Sequence, residues 1–318
     1  MVWLSANPEW RGLTAGAERF NNALVVRQLM NYRNRVAPNF LSSELMTTAS
    51  ASTLRFRRLL LTGAAGGLGR VLRPRLKACC DTLRVSDVAE LGAAAAGEEV
   101  RPARLQDKAA VLALLEEVDA VVHLGGVSVE GPFEPILEAN IVGVFHLYEA
   151  ARIQGVKRIV FASSNHVTGF YKQSQTIDAS MPVRPDGNYG VSKAFGENLA
   201  QFYFDRYGLE TVSLRIGSSF AEPADRRMLA TYLSFDDLER LVVASLTAPV
   251  VGHSIIYGMS DNSLTWWDNT PARHIGYRPQ DSSELFRAAV EARQPSIDIA
   301  QPAAQYQGGG FVTKGPYK

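Results

Sequence analysis

Cysteine is nearly absent: the 318-residue chain has two, Cys79 and Cys80, side by side. Adjacent cysteines are poorly placed for an ordinary structural disulfide and lack the further ligands that zinc requires. Neither a disulfide framework nor a metal site is therefore expected, and a reducing, cytoplasmic setting follows. Excess charge is missing too. A formal net charge of +1, with no basic run, removes any general attraction to nucleic acid. No uninterrupted apolar run reaches the roughly 18 residues expected of a membrane span. What is present, 46% hydrophobic and 20% charged residues, suffices for a large globular core and points to a small-molecule partner.

Lysine and aspartate are absent from the first 58 residues, where eight arginines face only Glu9, Glu18 and Glu44. Such an Arg-rich, acid-poor leader suits an organellar transit peptide. A disordered tail, or upstream sequence translated ahead of a true start at Met46, accounts for it equally simply. Residues 1–54 are read as a poorly ordered or non-native extension and 55–318 as one catalytic domain, with substrate-binding elements mainly in 218–318.

From Arg58 a rhythm sets in. Short apolar runs, "RLLLTG", "TLRVSD", "AVVHLGG", "RIVFASS" and "TVSLRIG", alternate with helical stretches of ten or more residues. That alternation predicts parallel strands joined by crossovers, an α/β Rossmann-like doubly wound sheet with helices on both faces. "VRPARL" is the weakest strand, because Pro102 cannot donate to a ladder. Pro74 should kink or shift the helix expected from Leu68 to about Ala78. Beyond Ser218 the pattern loosens into a helix capped by Ser234, a strand at "SIIYGMS" and a helix at "SSELFRAAVEAR", a small C-terminal elaboration.

"TGAAGGLG" (62–69) follows the first strand and opens a helix. Glycine serves three needs there: a tight turn, close approach to a pyrophosphate, and close packing of helix on sheet. Free N–H groups at the helix start receive the phosphates. Gly63, Gly66, Gly67, Leu68 and Gly69 are the candidate cradle. Asp87 ends the second strand eighteen positions after Gly69, the spacing expected of the acid that binds the adenosine ribose. A carboxylate there repels a 2′-phosphate and favours NAD over NADP, although Arg84 lies close by. Alternatively, Asp87 merely caps the following turn.

"RIVFASSNH" delivers Ser164, Asn165 and His166 to the carboxyl edge of the sheet, and "YGVSK" places Tyr189 and Lys193 on one helix face. A free phenol titrates near 10. An adjacent ammonium and a cationic nicotinamide would favour the phenolate, so Tyr189 is the candidate base and Lys193 its partner.

These motifs, with "VVHLGG" and Asn140 in "EANIVGVFHLYEAA", resemble the extended short-chain dehydrogenase/reductase superfamily. Within it, "GGVSVEGPF", "FASSNH", "RPDGNYGVSKAFGENLA", "LRIGS", "WWDN" and "QGGGFV" resemble the uronate dehydrogenase family in the same order. The resemblance implies NAD-dependent oxidation of a free hexuronic acid at C1 to an aldarolactone. It further implies that Tyr189, Lys193 and Ser164 are catalytic and that Leu105, Leu124 and Gly125 touch cofactor. Ser128, Asn165, His166, Ser218, Arg227 and Phe311 would meet the substrate. Arg226 stands beside Arg227, and the residues alone do not choose between them. One departure stands out: where relatives carry an acid that reaches the adenine, this chain has Arg104 before Leu105, so that the contact is lost, replaced by stacking, or shifted toward Asp107. The implied assembly is a homo-oligomer. The competing readings are a nucleotide-sugar epimerase or dehydratase and a non-catalytic NAD-sensing regulator.

Overall fold

The computed structural model describes residues 55–317. The expectations about the leader up to residue 54 lie outside the described residues.

Seven parallel strands form the central sheet: β1 (Phe56–Thr62), β2 (Cys80–Ser86), β3 (Glu98–Val100), β4 (Ala120–His123), β5 (Arg158–Ser164), β7 (Glu210–Ile216) and β8 (His253–Gly258). Their order is β3-β2-β1-β4-β5-β7-β8, and β6 (Ile177–Asp178) pairs separately with β9 (Trp267–Asp268). Strand β1 shows why its sequence reads as a continuous apolar run. Leu59 and Leu61 point into one core and Leu60 into the core on the opposite face, all at 0% exposure. Burying each such side chain stabilises the fold by roughly 1.5–3 kcal/mol.

Helices α1 (Gly67–Arg75) and α5 (Phe235–Thr247) cover the first face through Leu72, Leu238 and Leu241. On the second, α2 (Lys108–Leu114), α3 (Gly143–Gln154) and α4 (Asn188–Tyr207) bring Val111, Val144, Leu147 and Tyr203. As expected, Ser234 caps α5 by accepting from the Asp237 N–H at 2.9 Å. Pro74 sits in the last turn of α1, which tightens into a 3-10 turn at Leu76–Cys79.

Three expectations need correction. The third strand, Glu98–Val100, takes in only the first residue of "VRPARL" and stops before the proline can interrupt its ladder. The "SSELFRAAVEAR" helix is divided into a 3-10 turn, Ser283–Phe286, and α6, Arg287–Arg293. The stretch ahead of α3 is also not regular helix, since Leu137–Val142 widens into a π turn. Such turns recur at functional sites. Here the turn aims Asn140 at the loop after β4, where its amide accepts from the Val127 N–H (2.8 Å) and donates to the Val127 carbonyl (2.9 Å).

The order reverses between β1 and β4, and ligands in open α/β sheets bind outside the carboxyl ends of strands at such a switch.

Candidate active site

At that switch lies a cleft of about 1030 Å³. Its floor at one end is the glycine turn. Gly63 has φ +70°, and a Cβ there would meet the Leu124 carbonyl carbon at 2.6 Å. A Cβ on Gly69 would collide with the Gly63 carbonyl oxygen. The turn thus admits no side chain where the chain bends and where α1 meets β1. Gly66, Gly67 and Leu68 line the same wall and present the α1 N-terminus, which no side chain caps.

Asp87 is held from two sides: it accepts from the Ala65 N–H (2.9 Å) and the Ala89 N–H (3.0 Å). It therefore shapes its turn and lines the cleft at once. The ambiguity raised by Arg84 disappears. That guanidinium is 2% exposed, ion-pairs with Glu99 at 2.8 Å and donates to the Leu114 and Glu116 carbonyls, facing away from any ribose. Leu105, Leu124 and Gly125 complete this end with Arg104. Asp107 is not among the residues lining the cleft; its carboxylate caps α2 by accepting from the Ala109 and Ala110 N–H groups.

The other end is built where β5 runs into a 3-10 turn. Ser164 ends the strand and accepts from the His166 N–H at 3.2 Å, fixing Asn165 and His166 on the cleft wall. Helix α4 starts against the loop after β4: Glu130 accepts from the Asn188 and Tyr189 N–H groups at 3.0 and 2.8 Å. Tyr189 and Lys193 then face the cleft one turn apart, with Lys193 Nζ 5.6 Å from the Tyr189 ring centroid and 5.2 Å from that of Phe161.

Their electrostatics depart from the simple expectation. Burial pushes the Tyr189 phenol up to about 12, Ser164 facing it works in the opposite direction, and Asp186 adds to the rise. Burial also brings Lys193 down to about 8. The protein by itself therefore holds the phenol above its ordinary value, and the lysine is a buried cation with no carboxylate partner among the described residues. The buried ammonium needs hydrogen-bond acceptors, which ribose hydroxyls would supply, and the phenol needs added positive charge to ionise, which an oxidised nicotinamide would supply.

Arg226 and Arg227 separate cleanly. Arg226 is turned outward, donating to the Gln294 carbonyl at 2.6 Å and approaching Glu291 at 3.7 Å. Arg227 lines the cleft, donates through Nε to the Gln307 carbonyl at 2.6 Å, and meets the Asn165 amide oxygen at 2.8 Å while that amide donates to the Ile216 carbonyl. No carboxylate stands within ion-pair distance of it among the described residues; burial lowers its pKa, against the opposing charges of Asp225 and Asp186. Ser128, Ser218 and Phe311 stand on the same wall, Ser218 bonded to Thr231 at 2.8 Å. Phe311 stacks on His166 with centroids 3.8 Å apart.

Sequence reasoning missed three residues here. Asp186 holds His166, Lys314 lies 4.0 Å over the Phe311 ring, and Gln307 receives Arg227 through its carbonyl and Trp267 Nε1 (2.9 Å) through its side chain. Asp186 and Gln307 lie within the quoted stretches "RPDGNYGVSKAFGENLA" and "QGGGFV", but only their distant partners give them roles.

Residues 59–236 match the NAD dependent epimerase/dehydratase family. The chain belongs to this family. Relatives within it are far more specific. A uronate dehydrogenase of Pseudomonas syringae pv. tomato is 60% identical over 86% of this chain and 99% of its own length. The crystal structure of uronate dehydrogenase from Agrobacterium tumefaciens is 48% identical, with a TM-score of 0.81 over 83% of this chain and 99% of that one. A mutant of that enzyme complexed with NAD is 47% identical, with the same TM-score and coverage. In this chain the glycine turn, Tyr189 and Lys193 line one cleft.

Proposed function

We propose that the protein oxidises C1 of a free hexuronic acid, D-galacturonate or D-glucuronate, to the aldarolactone, with NAD as acceptor. The observation that carries this reading is a buried guanidinium with no carboxylate in ion-pair contact among the described residues, Arg227, in the same cleft as Tyr189, Lys193 and the glycine turn. A guanidinium fork accepts a carboxylate bidentately. The names and identity of the relatives support the same substrate class.

Tyr189 receives the proton of the anomeric hydroxyl, and Ser164, which can donate and accept, holds that oxygen as its charge changes. Bound NAD supplies the acceptor for the hydride that leaves C1 with its electron pair, so that the C1–O bond becomes a carbonyl. Lys193 donates to ribose hydroxyls and lends positive potential to the phenol. Gly63, Gly66, Gly67, Leu68 and Gly69 receive the pyrophosphate, Asp87 the adenosine ribose, and Leu105, Leu124 and Gly125 pack along the dinucleotide. Arg227, Asn165 and Ser218 orient the carboxylate end, while Ser128 and His166 meet hydroxyls and Phe311 closes the pocket.

NADH absorbance recorded with purified protein, NAD and either uronate is the test. A rise is expected, and no rise with both sugars sinks the proposal. Arg227→Ala should raise KM for uronate about a hundredfold, since losing one partner of a desolvated charge pair costs several kcal/mol. NAD affinity should stay within about twofold; equal loss of both would remove Arg227 from the carboxylate site. Asp87→Ala should erode the preference for NAD over NADP by roughly tenfold or more, about 1.4 kcal/mol. Unchanged discrimination in a coenzyme titration would place the ribose contact elsewhere.

No helix among the described residues is long and apolar enough to cross a membrane, which is compatible with a cytoplasmic enzyme. Exposed Val142, Phe145, Ile153 and Phe202 on and beside α3 and α4 support self-association. We take residues 55–318 as the catalytic unit of this reading.

A further inference from the structure

One buried carboxylate behind the cleft wall has no task in the scheme above. Asp186 has 0% of its side chain exposed; its Oδ2 lies 2.7 Å from His166 Nδ1, and its Oδ1 has no partner among the described residues. The backbone follows the same pairing, the Asp186 N–H donating to the His166 carbonyl at 3.3 Å. Gly169 and Gly308 close so tightly over this carboxylate that a Cβ on either would collide with Oδ2. A carboxylate only accepts, so it takes the Nδ1 hydrogen and leaves the lone pair on Nε2. The ring cannot swing, because Phe311 stacks on it and the Tyr189 ring meets it edge-on with centroids 6.0 Å apart.

We infer that Asp186 is a positioning residue that fixes His166 as a neutral imidazole whose Nε2 accepts a hydrogen bond from a sugar hydroxyl, leaving Arg227 to take the carboxylate. The inference rests on the proposed uronate oxidation and divides its pocket into a hydroxyl end and a carboxylate end. The groups that face the ring agree with a neutral state. Burial acts most strongly and disfavours the imidazolium; Arg227 and Lys314 add to it, Asp186 opposes, and the net direction is downward. Tyr189, which meets the ring edge-on, is held as a neutral phenol near pH 7 until a cofactor binds. An imidazolium would instead donate from Nε2 and compete with Arg227 for the carboxylate.

Two measurements decide the matter. In the unaltered protein, KM for galacturonate should be constant through the neutral range and rise only on acidification below the ordinary imidazole range, where the ring gains a proton. A KM that falls on acidification would mean that His166 binds the carboxylate as a cation, and would overturn the inference. Asp186→Ala should raise KM roughly tenfold, with kcat and NAD affinity changed less than about threefold, while Asp186→Asn, whose amide oxygen still accepts, should recover most of the loss. Combined with His166→Ala, Asp186→Ala should add less than about twofold, because residues acting through one group are not additive. A full tenfold loss in that background would show that Asp186 acts by another route. Should the Asp186 variants fail to fold, the pH dependence of KM in the unaltered protein still decides. Absence of NADH with either uronate would refute the oxidation itself, whereas failure of the inference leaves that turnover intact.

Discussion

Tyr189→Phe should lower kcat about a thousandfold while leaving NAD affinity within about twofold, as expected when a positioned general base is removed. The substitution deletes one oxygen and keeps the ring. That ring is 7% exposed, packs edge-on against His166 and lies beneath Lys193, contacts that phenylalanine reproduces. The backbone N–H that Glu130 holds is also unchanged. The loss should therefore fall on kcat, with KM nearly constant, in steady-state kinetics paired with a fluorescence titration of NAD. If the variant retains more than about a tenth of the turnover, Tyr189 is not the base.

Lys193→Met should make the cofactor-free protein more stable while making it nearly inactive. Burial lowers the folded-state pKa of Lys193 from 10.5 to about 8, a difference worth roughly 3 kcal/mol. Between those values the unfolded chain holds a proton that the folded chain has released, so stability rises with pH through this window. Below about 8 the full penalty applies, offset by roughly 1 kcal/mol from the cation–π contacts with Phe161 and Tyr189. At pH 7 the methionine variant should gain about 2 kcal/mol, or roughly 5 °C in Tm. The gain should vanish as pH approaches 10.5. Turnover should fall about a hundredfold or more with the lost electrostatic support. A variant less stable than the parent at pH 7 would contradict the account of Lys193 as an uncompensated buried cation.

Features set by local spacing were legible in the amino-acid order. The glycine turn, Asp87, Ser164 and the Tyr189–Lys193 pair each lie within one strand–turn–helix unit, so their geometry follows from the unit itself. The alternation of apolar runs was sufficient for the parallel sheet, and the start of α5 could be read from Ser234. Strand β8 was recognised as a strand, but its place as the seventh member of the main sheet depends on pairing with β7, which no local pattern encodes. The same holds in the cleft. Choosing between Arg226 and Arg227 required knowing that Gln294 captures one and Gln307 the other. Arg84 looked free because it neighbours Asp87 in sequence, yet alternation along β2 turns it toward Glu99. The π turn that aims Asn140 was invisible because its residues still carry a helical period. Asp186 reads as an ordinary turn aspartate until His166, twenty positions earlier, is brought against it.

Gln307 joins regions far apart in the chain. Its carbonyl receives Arg227, eighty positions earlier, while its side chain receives Trp267 and donates to the Lys172 and Gln175 carbonyls. During synthesis the ribosome releases the dinucleotide cradle long before this clasp. The contacts that hold Arg227 in the cleft are therefore complete only when the last-made stretch folds back on the sheet.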